Sequence, residues 1–137
     1  MGATRLIPAI ACALTLAFAP AASAATGDLT VSVARLTVPA TVRVGQTTGF
    51  AVRYVVRGPV KRRANATVLL VLTARGSTYR IESKPALIRP AIWNWSVNDK
   101  IPKALGKGSY RVVATITLRR SGRFVDATKK SAKITLS

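Results

Sequence analysis

The side chains able to do chemistry in this sequence are overwhelmingly cations. Lys and Arg number 22 against four Asp and Glu, His is absent, and a single Cys stands at position 12. The formal net charge is +18 and the pI is near 11.8. The bases gather in Lys61-Arg62-Arg63, in Lys100, Lys103 and Lys107, in Arg119-Arg120 with Arg123, and in Lys129-Lys130 with Lys133. Such clusters attract anions by summed charge, and Arg adds a planar fork that fits a carboxylate or phosphate through two parallel hydrogen bonds. Charge on this scale bears on partners and solubility rather than on fold.

Other chemistry is short of parts. Without His there is no imidazole general base, and without His or further Cys the usual zinc donors are missing. Asp28, Glu82, Asp99 and Asp126 are far apart in sequence, whereas a paired-carboxylate site needs two of them to converge. No glycine-rich phosphate loop is present, and no Ser-x-x-Lys falls on a helical pattern. The inventory points away from an enzyme, and it calls for no cofactor and no metal.

The first residues read as an address for export. Arg5 supplies a positive start, Leu6 to Ala19 is almost wholly apolar, and Ala22-Ser23-Ala24 ends it with the small residues a signal peptidase reads. The stretch is short and Ala-rich for a membrane span, and Pro20 closes it. Cleavage is expected after Ala24, making 1–24 a signal peptide and 25–137 one mature domain of 113 residues. Cys12 leaves with the signal, so the domain must fold on packing without a disulfide.

The mature chain has the period of strands. In Gly49 to Arg57, Phe50, Val52, Tyr54 and Val56 fall on one side, and Arg53 and Arg57 on the other. That alternation describes a strand with one face in a core. Thr67 to Thr73 is a nearly continuous apolar run, expected as a central buried strand. Tyr110, Val112, Ala114, Ile116 and Leu118 share a face of Ser109 to Arg120, and Ser121-Gly122 is expected to turn the chain tightly into a last strand from Phe124. Trp93 and Trp95 share one side of a strand, expected to face the core rather than form an open stacking surface. About seven strands and no helix predict an all-β sandwich.

Two segments carry a resemblance. Gly108-Ser109-Tyr110-Arg111-Val112-Val113-Ala114-Thr115-Ile116 resembles the penultimate strand of bacterial immunoglobulin-like domains. Val38-Pro39-Ala40-Thr41-Val42-Arg43-Val44-Gly45-Gln46 is similar to the opening of the same broad class, which includes CARDB-type domains. The resemblance covers nearly all of 28–137. It implies an immunoglobulin-like β-sandwich of about seven strands, and a tyrosine corner in which the Tyr110 hydroxyl bonds nearby backbone. It brings no catalytic residues. The strong positive charge departs from the class, which is usually neutral or acidic.

In such a sandwich the 61–63 loop and the 119–123 turn are expected to share one end. Lys61, Arg62, Arg63, Arg119, Arg120 and Arg123 would then stand together, six cations with no acid among them. The expected role is that of an exported, non-catalytic binding protein held by charge to anionic polymers of the cell envelope. Nucleic acid is a less favoured partner. The alternative is a protein-interaction or structural accessory module of a surface assembly, docking through an open sheet edge.

Overall fold

Alternation dictates two faces per strand, and the chain buries its apolar faces by stacking two sheets. The computed structural model describes residues 27–137; the expected signal peptide, 1–24, lies outside the described residues. The elements are β1 (Thr30–Thr37), β2 (Thr41–Val42), β3 (Thr47–Arg57), β4 (Ala64–Ala74), β5 (Ser77–Glu82), β6 (Ala86–Ile88), β7 (Ala91–Lys100), β8 (Gly108–Arg120) and β9 (Arg123–Leu136). Among the described residues there is no helix.

The smaller sheet has the order β1-β3-β7, and the larger has β2-β9-β8-β4-β5, with β6 also paired to β4. All pairings are antiparallel except β2 with β9, which is parallel. In an immunoglobulin sandwich the first, second and fifth strands share one sheet, and the third, sixth and seventh share the other. Here β1, β3 and β7 make the first set and β4, β8 and β9 the second. The fold is therefore an immunoglobulin-like all-β sandwich. β2 continues the opening strand after it crosses to the other sheet at Pro39. β5 and β6 form one interrupted edge, broken where the Ser83 hydroxyl accepts from the Val68 amide at 2.9 Å.

The core lies between the inner faces. Phe50, Val52, Tyr54 and Val56 of β3 face Val68, Leu70 and Leu72 of β4 and Val112, Ala114, Ile116 and Leu118 of β8. Ala114 stands opposite Leu70, a small side chain beside a large one, and Ile116 stands opposite Val68. Trp93 and Trp95 pair with Tyr54 and Val52 and sit half-buried against this core. The Trp93 indole donates to the Arg89 carbonyl at 2.8 Å, which gives its polar edge a partner at the rim. Tyr110 donates to the Gly106 carbonyl at 2.8 Å, forming the tyrosine corner.

Several boundaries differ from the sequence reading. β4 is central, but its Thr67, Leu69, Val71 and Thr73 side is only half-buried, because among the described residues no second layer covers that face of the larger sheet. β9 runs unbroken for 14 residues from Arg123, although its alternation is regular only near Ile134 and Leu136. A bulge between Phe124 and Asp126 explains the weak start, since one extra residue resets which side chains face inward. The two-residue β2 carries too few side chains to show a period at all.

Candidate functional site

At one end of the sandwich the chain leaves β3 at Arg57 and enters β4 at Ala64. Gly58 makes this possible: its φ is +143°, and a Cβ there would lie 2.9 Å from Leu29 Cδ2 and 3.0 Å from the Asp28 carbonyl. Only glycine lets Asp28 and Leu29 run this close. Beyond it the Arg62 amide closes a turn on the Pro59 carbonyl at 3.0 Å. The second piece of this end is the β8–β9 hairpin. Ser121 and Gly122 both have positive φ, 52° and 76°, the backbone of a two-residue turn whose twist matches its strands.

The structure places loop and hairpin side by side. Arg119 pairs with Asn65, and Arg123 pairs with Arg120 across the hairpin. Arg120 Nε donates to the Arg63 carbonyl at 2.8 Å. Lys61, Arg62, Arg63, Arg119 and Arg123 are exposed. Arg63 turns its Nη1 back onto the loop, donating to the carbonyls of Val60 and Arg62 at 2.9 and 3.0 Å.

Arg120 behaves differently, and here the expectation of six cations without an acid is corrected. Asp28 belongs to this end. Arg120 Nη2 donates to Asp28 Oδ1 at 2.8 Å and Nη1 to Oδ2 at 3.0 Å, a two-pronged ion pair with side chains 32% and 24% exposed. The Leu29 amide also donates to Asp28, at 2.7 Å. The Arg120 hydrogen bond, helped by the Leu29 amide and the field of Arg62, holds the Asp28 carboxyl at a pKa of about 2. Arg120 therefore fastens the hairpin to the segment before β1 and to the loop before β4. Asp28 lies 92 positions from Arg120, too far for residue spacing to reveal this.

Two of the other three acids are also engaged within the fold. Asp126 accepts the Val31 amide at 2.9 Å, across the sheets. Asp99 accepts the Tyr79 hydroxyl at 2.6 Å, which pushes the phenol up to about 12, with burial adding to the effect. Arg120–Asp28 is the one ion pair among the described residues. Cations instead meet cations. Arg35 faces Arg53 across β1 and β3, and Arg111 faces Lys133 across β8 and β9. Directly opposed like charges destabilise a sheet. Arg53 finds only a neutral partner, donating to Asn94 Oδ1 at 3.0 Å.

The sequence reading also missed apolar neighbours of the cation cluster. Phe124 pairs with Arg119, Arg119 with Asn65, and Asn65 with Leu87. These four side chains form one row on the outer face of the larger sheet, with Phe124 62% and Leu87 66% exposed. Alternation assigns Phe124 to a strand but cannot show its face, because the bulge beside it breaks the period. Among the described residues no three acidic, His or Cys side chains converge to hold a metal, and no helix is long and apolar enough to cross a membrane.

No protein-family model matches the sequence, and no curated protein matches it. Among solved structures the chain is similar to the CARDB domain of the PF1109 protein from Pyrococcus furiosus in complex with di-metal ions. The identity is 17%, with 80% of this chain and 92% of that one covered and a TM-score of 0.47. A solution structure of the same domain gives 16% identity, coverage of 80% and 94%, and a TM-score of 0.49. It is also similar to an alkylpurine DNA glycosylase, AlkC, from Pseudomonas fluorescens bound to DNA containing an abasic site analogue. There the identity is 15%, the TM-score is 0.49, and the match covers 77% of this chain but only 30% of the glycosylase.

Proposed function

We propose that the protein is an exported, non-catalytic binding module that associates with anionic polymers of the cell envelope. The observation that carries this reading is how little of the charge is neutralised internally among the described residues. The described residues contain one ion pair, while Arg35 with Arg53 and Arg111 with Lys133 stand directly opposed. Such pairs cost stability in the isolated molecule, and a bound polyanion relieves them. Lys61, Arg62, Arg63, Arg119 and Arg123 supply the exposed cations of the contact. Arg120, tied to Asp28, shapes the end that presents them.

The test is binding to long-chain polyphosphate across a salt series. Affinity should fall steeply and log-linearly with salt, and replacing Lys61, Arg62 and Arg119 with Gln should flatten the slope by about 2 to 3. A slope near zero, or no binding at low salt to polyphosphate or to any other anionic polymer, refutes the reading.

A second reading has its own observation. Among the described residues β7 pairs only with β3 and forms an edge of the smaller sheet, and from Ala91 to Asn98 it carries no charge. Such an edge can accept an added strand from a partner protein. A pull-down partner retained at high salt and lost on charge insertion at Asn94 would favour it.

A further inference from the structure

The row Phe124–Arg119–Asn65–Leu87 deepens the polyanion reading, on which it rests. Its pairings run straight across β9, β8, β4 and β6, so the four side chains follow one another at the strand spacing over about 14 Å. Two of them are large apolar groups left open to water, and the pair between them is a guanidinium and an amide. An exposed Phe and Leu gain nothing from a bare chain of charges. They gain from a ligand that offers an apolar surface at the same repeat as its charge.

We infer that this face is a binding subsite for an acidic polysaccharide, one whose sugar rings carry carboxylates. The C–H face of one ring lies on Phe124 and that of a later ring packs on Leu87. Arg119 forks a carboxylate between them, and Asn65 takes a ring hydroxyl. Six-membered sugar rings in an extended chain advance by roughly one strand spacing per residue, so successive rings meet successive strands. The exposed Lys61, Arg62 and Arg123 at the neighbouring end continue the positive field beyond the row. A single-stranded nucleic acid fits less well. It is held by aromatic side chains stacking successive bases, and Leu87 offers no flat π-face to a second base.

The experiment titrates the full-length chain with three polymers at one fixed ionic strength. They are polygalacturonate, with a carboxylate on every ring; long-chain polyphosphate, charged but without rings; and single-stranded oligothymidylate. Phe124→Ala should weaken polygalacturonate binding about tenfold and leave polyphosphate binding unchanged. Leu87→Ala should do the same to a smaller degree, and Phe124→Tyr, which keeps the ring, should restore affinity. Both side chains are exposed, so neither truncation opens a cavity in the core. Equal losses on polygalacturonate and polyphosphate, or no loss on either, overturn the inference while leaving the polyanion reading standing. Tighter, Phe124-dependent binding of oligothymidylate than of polygalacturonate overturns the sugar assignment in favour of nucleic acid. If the wild-type protein binds none of the three, the polyanion reading falls and the inference falls with it.

Discussion

Replacing Asp28 with asparagine should move stability and ligand affinity in opposite directions. The carboxylate accepts both prongs of Arg120 and the Leu29 amide, and its pKa is lowered from 3.8 to about 2. A group whose folded pKa is depressed contributes stability above its unfolded pKa. That contribution is lost as pH falls through the folded value. The window is therefore pH 4 down to 2, with the full contribution present at neutral pH. A shift of this size corresponds to about 2 kcal/mol, and solvent screening at a partly exposed pair brings it to about 1 kcal/mol. For a domain of this length that is about 4 °C in Tm. The carboxamide of the variant retains an oxygen for the Leu29 amide, so the lost part is the charge. Urea unfolding followed by the fluorescence of Trp93 and Trp95 should show D28N weaker than wild type at pH 7, with most of that difference gone near pH 2. The same variant releases Arg120 and should bind polyphosphate more tightly at low salt. An equal stability loss at both pH values would show that the carboxylate acts through packing. Unchanged affinity would show that Arg120 is out of the ligand's reach.

Three further outcomes follow from named contacts. Tyr79→Phe removes the bond to Asp99 between the two sheets and should cost about 1 kcal/mol in urea unfolding. In the wild type one phenol should titrate near pH 12 by ultraviolet absorbance, and the stability it confers, present below pH 10, should fade as pH rises through that value. Tyr110→Phe leaves the Gly106 carbonyl without its donor and should lower stability by about 1 to 2 kcal/mol at neutral pH, measured the same way. Ser121→Asn places a residue tolerant of positive φ where Ser121 already adopts 52°. It should raise the melting temperature, with a gain of about 0.5 kcal/mol.

Period-two segments were legible in the sequence because burial acts on every second residue. Phe50 to Val56 and Tyr110 to Leu118 show this, and they supply one inner face of each sheet. The hairpin at Ser121-Gly122 was legible from turn chemistry. β2 was not, since two residues have no period, and its parallel pairing with Thr135 and Leu136 is a long-range choice. The same limit governs the candidate site. Clusters such as Lys61-Arg62-Arg63 are visible as strings of letters. The partner that takes Arg120 out of the cluster lies 92 positions away, and the row joining Phe124 to Leu87 exists only once four strands are in register. Pattern reports what a residue is beside in sequence, whereas charge balance depends on what lies across the fold.

β9 sets the order of assembly. It fills the gap between β2 and β8, its Asp126 holds the Val31 amide of β1, and Ser137 just beyond it exchanges backbone hydrogen bonds with Val42 and Val44. All but the hairpin pairing with β8 join an early part of the chain to a very late one, so loop closure must precede any gain from them. Nascent β3, β4 and β8 can associate in part, but the larger sheet is completed only when residues 123–136 are in place. Until then the β8 edge that β9 will cover is open, and the mutual repulsion of the cations helps keep neighbouring unfinished chains apart.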